Sequence, residues 1–249
     1  MSCYVDKVIA IARAEKGYCE KETKSDLDNK TANAGDKNLT KYARDLDAIT
    51  DFYNGRKQGC AWCDIFVDWC FYKAFGKTKA RKLLCQPTKS CGAGCEWSAK
   101  YYKNKGQYFT SNPQVGDQIF FKSGTSIVHT GLVYKVTGSY VYTIEGNTST
   151  ASGVVANGGE VAEKKYALTN ARIDGYGRPK YNVKPTENTV EEPAKPDYQC
   201  IHKVVKGDTL SGLAKKYLGS AKRYNEIKTL NKKKSTVIKI GEKLKIPNK

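Results

Sequence analysis

Gly59-Cys60-Ala61-Trp62-Cys63-Asp64-Ile65-Phe66-Val67-Asp68-Trp69-Cys70-Phe71 decides how this chain is read. A small, bendable approach leads to Trp62-Cys63, and the apolar residues beyond it keep helical spacing. Phe66, Val67, Cys70, Phe71 and Ala74 follow Cys63 at the positions that share one helix face. Cys63 therefore heads the buried stripe of a predicted helix, where unpaired N–H groups and the positive dipole end favour thiolate over thiol. A single cysteine on an apolar face is more often a packing residue. A catalytic reading needs a base and an orienting acceptor elsewhere in the chain.

The 249 residues fit one large domain or two smaller ones, and with 39% apolar residues they can bury a proper core. No run approaches the eighteen or so apolar residues of a membrane span. The N-terminus, Met1-Ser2-Cys3-Tyr4-Val5-Asp6-Lys7-Val8, lacks a basic region followed by an apolar one, so a classical secretory signal is not expected. The formal charge is +18, from 43 basic and 25 acidic residues, which calls for an anionic partner: nucleic acid, a membrane surface or an acidic wall polymer. Nine cysteines is an odd number, so at least one thiol is free or pairs between molecules. Cys60, Cys63, Cys91 and Cys95 offer four thiolates for zinc, but their spacing fits such a site only in part. The expected site has no metal and no cofactor.

Working outward, Val5, Val8, Ile9 and Ala12 mark an amphipathic opening helix ending near Gly17, followed by a polar, irregular stretch. Residues 43–53 form a predicted short helix before the Cys63 element, and a basic loop carrying Cys85, Cys91 and Cys95 is expected after Gly76. A further helix spans about 96–103. The period then changes. Val115-Gly116-Asp117 reads as a turn into a strand, and residues 127–136 and 140–144 read as a hairpin around Thr137-Gly138-Ser139. Helices first and an antiparallel sheet second make an α+β arrangement. Residues 183–199 hold three of the seven prolines and four acids and read as a semi-stiff linker. Residues 200–249 carry 14 Lys/Arg against three acids, a separate and strongly basic unit.

The base for Cys63 follows by elimination. The chain has two histidines, and His202 lies beyond the linker, so His129 is the one imidazole in the domain that holds Cys63. The acceptor follows from strand geometry. With Val136 facing Tyr140 across the hairpin, His129 pairs opposite Asn147, and Glu145 is a diagonal step away on the same face. A slip of one residue would part His129 from Glu145.

Trp62-Cys63-x-x-Phe66-Val67, Val115-Gly116-Asp117-x-Ile119-Phe120-Phe121, His129-Thr130-Gly131-Leu132-Val133 and Glu145-x-Asn147 resemble, in order, the motifs of CHAP domains. These are papain-like cysteine peptidases and amidases, related to the NlpC/P60 family, that cut bacterial peptidoglycan. The resemblance covers roughly residues 40–180. It implies Cys63 as nucleophile, His129 as general base and acid, and Glu145 or Asn147 as the residue that orients the imidazole. Many relatives have Gln directly before the nucleophile where this chain has Trp62. The oxyanion hole is then expected to use the Cys63 backbone N–H and a second donor, for which Gln58 is a candidate.

The basic unit resembles a LysM module in Val204-Val205-Lys206-Gly207-Asp208-Thr209-Leu210, Ile227, Leu230-Asn231 and Ile238-Lys239-Ile240-Gly241, through to Leu244-Lys245-Ile246-Pro247. That implies a βααβ fold and a groove for N-acetylglucosamine-containing glycans between Gly207, Asp208, Thr209 and Leu210 on one side and Ile238 and Lys239 on the other. The expected organisation is a cysteine amidase or peptidase domain at 1–182, a linker at 183–199 and a LysM domain at 200–249. The expected partners are the glycan and stem peptides of bacterial peptidoglycan and anionic wall polymers, with neither nucleic acid nor a membrane span. The expected function is that of a phage-type endolysin, made in a host cytoplasm and released to the wall, or of an enzyme exported by a non-classical route. It would cleave the muramoyl–L-alanine amide or a bond of the stem or cross-bridge peptide. The alternative is an inactive wall-binding protein of the same fold.

Overall fold

Helix α3 (Cys63–Leu83) begins at the quoted cysteine, and the residues of its predicted stripe are all buried. In this computed structural model, which describes residues 3–181, 198–231, 233 and 235–247, α3 is the buried axis of the first of two compact units, Met1–Lys184 and Pro185–Lys249. The helix runs through Gly76, which breaks its course at φ 72°, a conformation that glycine adopts without steric cost. The basic loop expected after Gly76 is thus partly helical. Ala80 and Leu83 join the core there, and Arg81 is held by the carbonyls of Asp51, Phe52 and Thr88.

Helix α1 (Cys3–Ala14) buries Val5, Val8 and Ala12. Helix α2 (Lys41–Asp47) is shorter than expected and is capped by the Thr40 hydroxyl, which accepts from the Ala43 N–H at 3.1 Å. Helix α4 (Cys95–Asn104) starts one residue before the expected position, so that Cys95, like Cys63, heads a helix.

The sheet consists of β1 (Tyr108–Phe109), β2 (Gln118–Ser123), β3 (Ser126–Val136), β4 (Tyr140–Thr148), β5 (Glu160–Ala167) and β6 (Ile173–Gly177). Its spatial order is β1-β6-β2-β3-β4-β5, and every pairing is antiparallel. Phe120, Leu132 and Ile144 pack with the helices in the main core. The alternate strand residues Ile119, Phe121 and Val133 form a second cluster with Val141, Tyr166 and Tyr176.

The hairpin corrects one expectation in detail. Val136 faces Val141, not Tyr140, and a bulge at Tyr134 then shifts the count, so that Val133 faces Thr143 and Leu132 faces Ile144. The extra residue restores the frame that the simpler hairpin would have given near His129. Carried on by one residue, it sets Gly131 across from Glu145, where an added Cβ would come within 2.4 Å of Glu145 Cγ.

The second unit is a βααβ fold. Strand β7 (Tyr198–Lys203) pairs antiparallel with β8 (Lys243–Pro247), and between them lie α5 (Leu210–Leu218), a short 3-10 turn and α6 (Tyr224–Leu230). Its own core contains Val204, Leu210, Leu213, Ile227, Leu244 and Ile246. Tyr198 and Gln199, expected to end the linker, belong to β7; the rest of the expected linker, residues 183–197, lies outside the described residues. No helix among the described residues is long and apolar enough to cross a membrane.

Candidate active site

Cys63 belongs to the helical core, and His129 stacks on Phe121 of the second cluster at 5.9 Å between ring centroids, so the candidate site lies where the two cores meet. His129 and Glu145 are fully buried, and His129 Nε2 lies 2.9 Å from Glu145 Oε2. The same carboxylate accepts from the Tyr166 hydroxyl at 3.2 Å and from the Thr143 hydroxyl. Held on three sides, Glu145 can fix the imidazole ring with its Nε2–H donated to the carboxylate. Gly131 makes this reach possible, because any side chain there would occupy the path of Glu145. The other ring nitrogen, Nδ1, is buried without a hydrogen-bond partner and is the one left for proton exchange with Cys63.

The electrostatics agree with that division. A hydrogen bond from Cys95 and, against burial, the neighbouring His129 hold the Cys63 thiol well below the usual thiol range. Burial lowers the proton affinity of His129, but the Cys63 thiolate and Glu145 outweigh it and lift the imidazole pKa to about 10. Both shifts favour the thiolate–imidazolium form of the pair, with the thiolate at the head of α3.

Asn147, the other candidate for orienting the ring, is not brought to His129. The pairing of β4 with β5 slips between Glu145 and Thr148, and Asn147 takes a left-handed φ of 53°. Its side chain instead donates to Asn38 Oδ1 at 3.4 Å and accepts from the Gly159 N–H at 3.3 Å. Gln58 is likewise committed elsewhere. Its amide donates to the Thr40 carbonyl and accepts from the Thr40 N–H, both at 3.0 Å, so it braces the start of α2 rather than an oxyanion. Trp62 gives its indole N–H to Glu20 Oε2 at 2.7 Å. An added Cβ on Gly146 would come within 2.7 Å of the Trp62 ring and 2.6 Å of Phe66 Cβ, so strand β4 presses directly on the start of α3.

Several residues around Cys63 were not foreseen. Cys95 Sγ lies 3.4 Å from Cys63 Sγ. Buried Asp64 accepts from the Gly94 N–H at 2.8 Å, the Ser98 hydroxyl at 2.9 Å and the Gln118 amide at 3.0 Å, and so ties α3 to the start of α4 and to β2. The sequence signal was Cys91-Gly92-Ala93-Gly94-Cys95, a small-residue approach to a cysteine-headed helix that repeats the logic of Gly59-Cys60-Ala61-Trp62-Cys63. Of the four thiols considered for zinc, only Cys63 and Cys95 are shown in sulfur–sulfur contact. Cys60 is exposed, and the hydrogen bond given for the Cys91 thiol goes to the Gly92 carbonyl. Among the described residues no group of three or more His, Cys, Asp or Glu could hold a metal ion.

In the second unit, two loops lie side by side, joined by the Val204 N–H to the Glu242 carbonyl and by the Gly241 N–H to the Val204 carbonyl, both 2.8 Å. These loops hold the six residues expected to bind glycan, but not all six face outward. Leu210 is a core residue at 2% exposure, which corrects its assignment to the groove. The Thr209 hydroxyl caps α5 through the Gly212 N–H at 3.1 Å, and Asp208 bonds His202 Nε2 at 2.7 Å. Gly207 and Lys239 are exposed, and Ile238 is half-buried against the core. The exposed apolar side chains on the two loops are Val205, Val237 and Ile240, at 55%, 68% and 71% exposure.

Comparisons with known proteins separate the two units in the same way. A family model for the CHAP domain matches residues 54–147, and one for the LysM domain matches residues 202–247. A solved structure described as "The crystal structure of Ly7917" is similar at 14% identity and a TM-score of 0.40, over 70% of this chain and 62% of that one. No curated protein matches. The chain therefore carries a CHAP domain at residues 54–147 followed by a LysM domain at residues 202–247.

Proposed function

We propose that the chain is an active peptidoglycan hydrolase that cleaves an amide bond of the bacterial wall by thiol acyl transfer. The observation that carries this reading is the buried His129–Glu145 pair at 2.9 Å, beside a thiol held well below its usual range at the head of a helix. A structural cysteine would not require a charged imidazole next to it.

The Cys63 thiolate attacks the amide carbonyl carbon, and the resulting oxyanion is held by the Cys63 backbone N–H at the start of α3. The imidazolium of His129 gives its Nδ1 proton to the departing amine, which leaves a thioester on Cys63. The neutral ring then takes a proton from water as that water attacks the thioester, and release of the acid returns the thiolate–imidazolium pair. Glu145 keeps the ring in place throughout through Nε2–H. The preferred target is the muramoyl–L-alanine amide, ahead of a stem or cross-bridge bond. The basic LysM unit would hold the enzyme on N-acetylglucosamine-containing glycan and acidic wall polymers. The biological setting that fits is an endolysin made in a host cytoplasm and released to the wall.

The test is Cys63→Ala against the parent on purified peptidoglycan, with released fragments identified by mass spectrometry. A new N-terminal alanine marks the amidase reaction, and other new termini mark an endopeptidase. Undiminished lysis by Cys63→Ala would overturn the nucleophile, whereas a parent protein that binds the wall and releases nothing would be an inactive binder.

A further inference from the structure

The second thiol at the nucleophile has no part in the acyl-transfer steps. Cys95 Sγ stands 3.4 Å from Cys63 Sγ, and closing that gap to the ~2.05 Å of a disulfide asks for a movement of little more than an ångström. Cys95 follows Gly92-Ala93-Gly94, in which Gly94 takes a φ of 139° that side chains rarely adopt. Both residues are buried but not sealed, Cys63 at 5% and Cys95 at 8% exposure. Among the described residues, the buried Cys85 and Cys91 thiols bond instead to the backbone carbonyls of Leu83 and Gly92.

We propose that Cys63 and Cys95 form a reversible disulfide on exposure to a hydroperoxide, a modification site that switches the nucleophile off and protects it from irreversible oxidation. The sulfur chemistry balances. The Cys63 thiolate attacks one oxygen of hydrogen peroxide, the O–O bond breaks, and the departing hydroxide takes the proton of the neighbouring His129 imidazolium to leave as water, giving Cys63 sulfenic acid. The Cys95 sulfur then attacks the Cys63 sulfur. Its thiol proton and the sulfenic hydroxyl leave together as a second water, and the S–S bond forms. Two electrons pass from the thiol pair to the peroxide, and a dithiol reductant returns them by exchange.

The roles within the pair are unequal. Cys63 is the sulfur held as thiolate and so attacks first. Cys95 is held protonated, chiefly by its hydrogen bond to Cys63, with burial and the Cys63 charge adding to it. Oxidation of Cys63 to the neutral sulfenic acid removes the negative charge, so the first step frees Cys95 for the second.

The activity readout rests on Cys63 being the nucleophile, but the disulfide does not, and one experiment separates the two. Full-length protein is treated with hydrogen peroxide, free thiols are blocked with iodoacetamide, and peptides are mapped by mass spectrometry alongside lysis assays before and after dithiothreitol. The expected result is a Cys63–Cys95 cross-linked peptide two hydrogens lighter than the free pair, with at least tenfold loss of lysis, restored by dithiothreitol. In Cys95→Ser the cross-link is absent, Cys63 gains two or more oxygens, and dithiothreitol restores little. Cys63 carrying those oxygens in the parent protein without the cross-link, or equal recovery of the parent and Cys95→Ser, would overturn the proposal. The parent map needs no variant to fold. Lysis by Cys63→Ala would instead count against the proposed function while leaving the cross-link intact as a finding.

Discussion

At His129 burial alone would discharge the ring, yet the thiolate on one side and the Glu145 carboxylate on the other keep it protonated up to about pH 10. The sign is set by the proton the leaving amine needs. Lysis should hold across neutral pH, fall as pH rises through about 10 and His129 loses that proton, and fall in acid as Cys63 becomes a thiol. A flat profile from acid to alkali would exclude the pair. Glu145→Gln removes one of the two charges that hold the imidazolium, so its alkaline limb should move to lower pH and its rate should drop on the order of 10²-fold. A purely structural Glu145 would lower the rate without moving the limb. Gly131→Ala attacks the same contact from the neighbouring strand, since its Cβ would lie 2.4 Å from Glu145 Cγ. It should destabilise the fold by ~1–3 kcal/mol in thermal melts and lower lysis further than that loss explains.

Elements were legible wherever a periodic apolar pattern met a clear stop, as in α1 with Val5, Val8 and Ala12, or in α3 from Cys63 onward. The pairing of His129 with Glu145 was within reach of strand parity, although the assumed turn was off by one residue and the bulge at Tyr134 made up the difference. Bulges leave no period-2 signature, and so Asn147 looked equivalent to Glu145: the slip beyond Glu145 that turns Asn147 toward Gly159 depends on β5, which is distant in sequence. Cys95 was hidden for the same reason, because its position beside Cys63 depends on Asp64, which gathers Gly94 and Ser98 at the start of α4 and Gln118 of β2. That junction carries its own prediction. Burial, assisted by the Cys63 charge, pushes the Asp64 carboxyl up to about 6. Its folded value lies above the unfolded one, so the folded state keeps a proton that the unfolded state releases, and stability should fall as pH rises from about 4 to about 6. Asp64→Asn should flatten that part of the melting-temperature profile, by up to ~3 kcal/mol. An unchanged slope would mean that Asp64 stays ionised in the fold.

For the whole molecule the question is what the second unit adds to the candidate site held by the first. Residues 200–249 hold 14 Lys/Arg against three acids, a larger excess than the whole of the first 182 residues carries. On the proposed function, tethering such a unit to the CHAP domain would raise the concentration of the site at the wall without any new contact at Cys63. Truncation to residues 1–181 should therefore lower retention on purified peptidoglycan by roughly 10²-fold while leaving the rate on a small soluble muropeptide within about twofold. Salt distinguishes the two sources of attraction. Contacts to acidic wall polymers are screened as the Debye length shortens from about 10 Å at 0.1 M to about 3 Å at 1 M, whereas apolar contacts to sugar faces persist. Full-length protein on peptidoglycan stripped of its acidic polymers should lose most of its salt sensitivity but keep binding that N-acetylglucosamine oligomers compete away. Val205, Val237 and Ile240 are the exposed apolar residues on the paired loops, so Ile240→Asp should remove the competable part. Leu210→Ala should instead unfold the unit, because Leu210 belongs to its core. If Ile240→Asp bound as well as the parent while salt alone released both, the LysM unit would hold the wall by charge and not by a glycan groove.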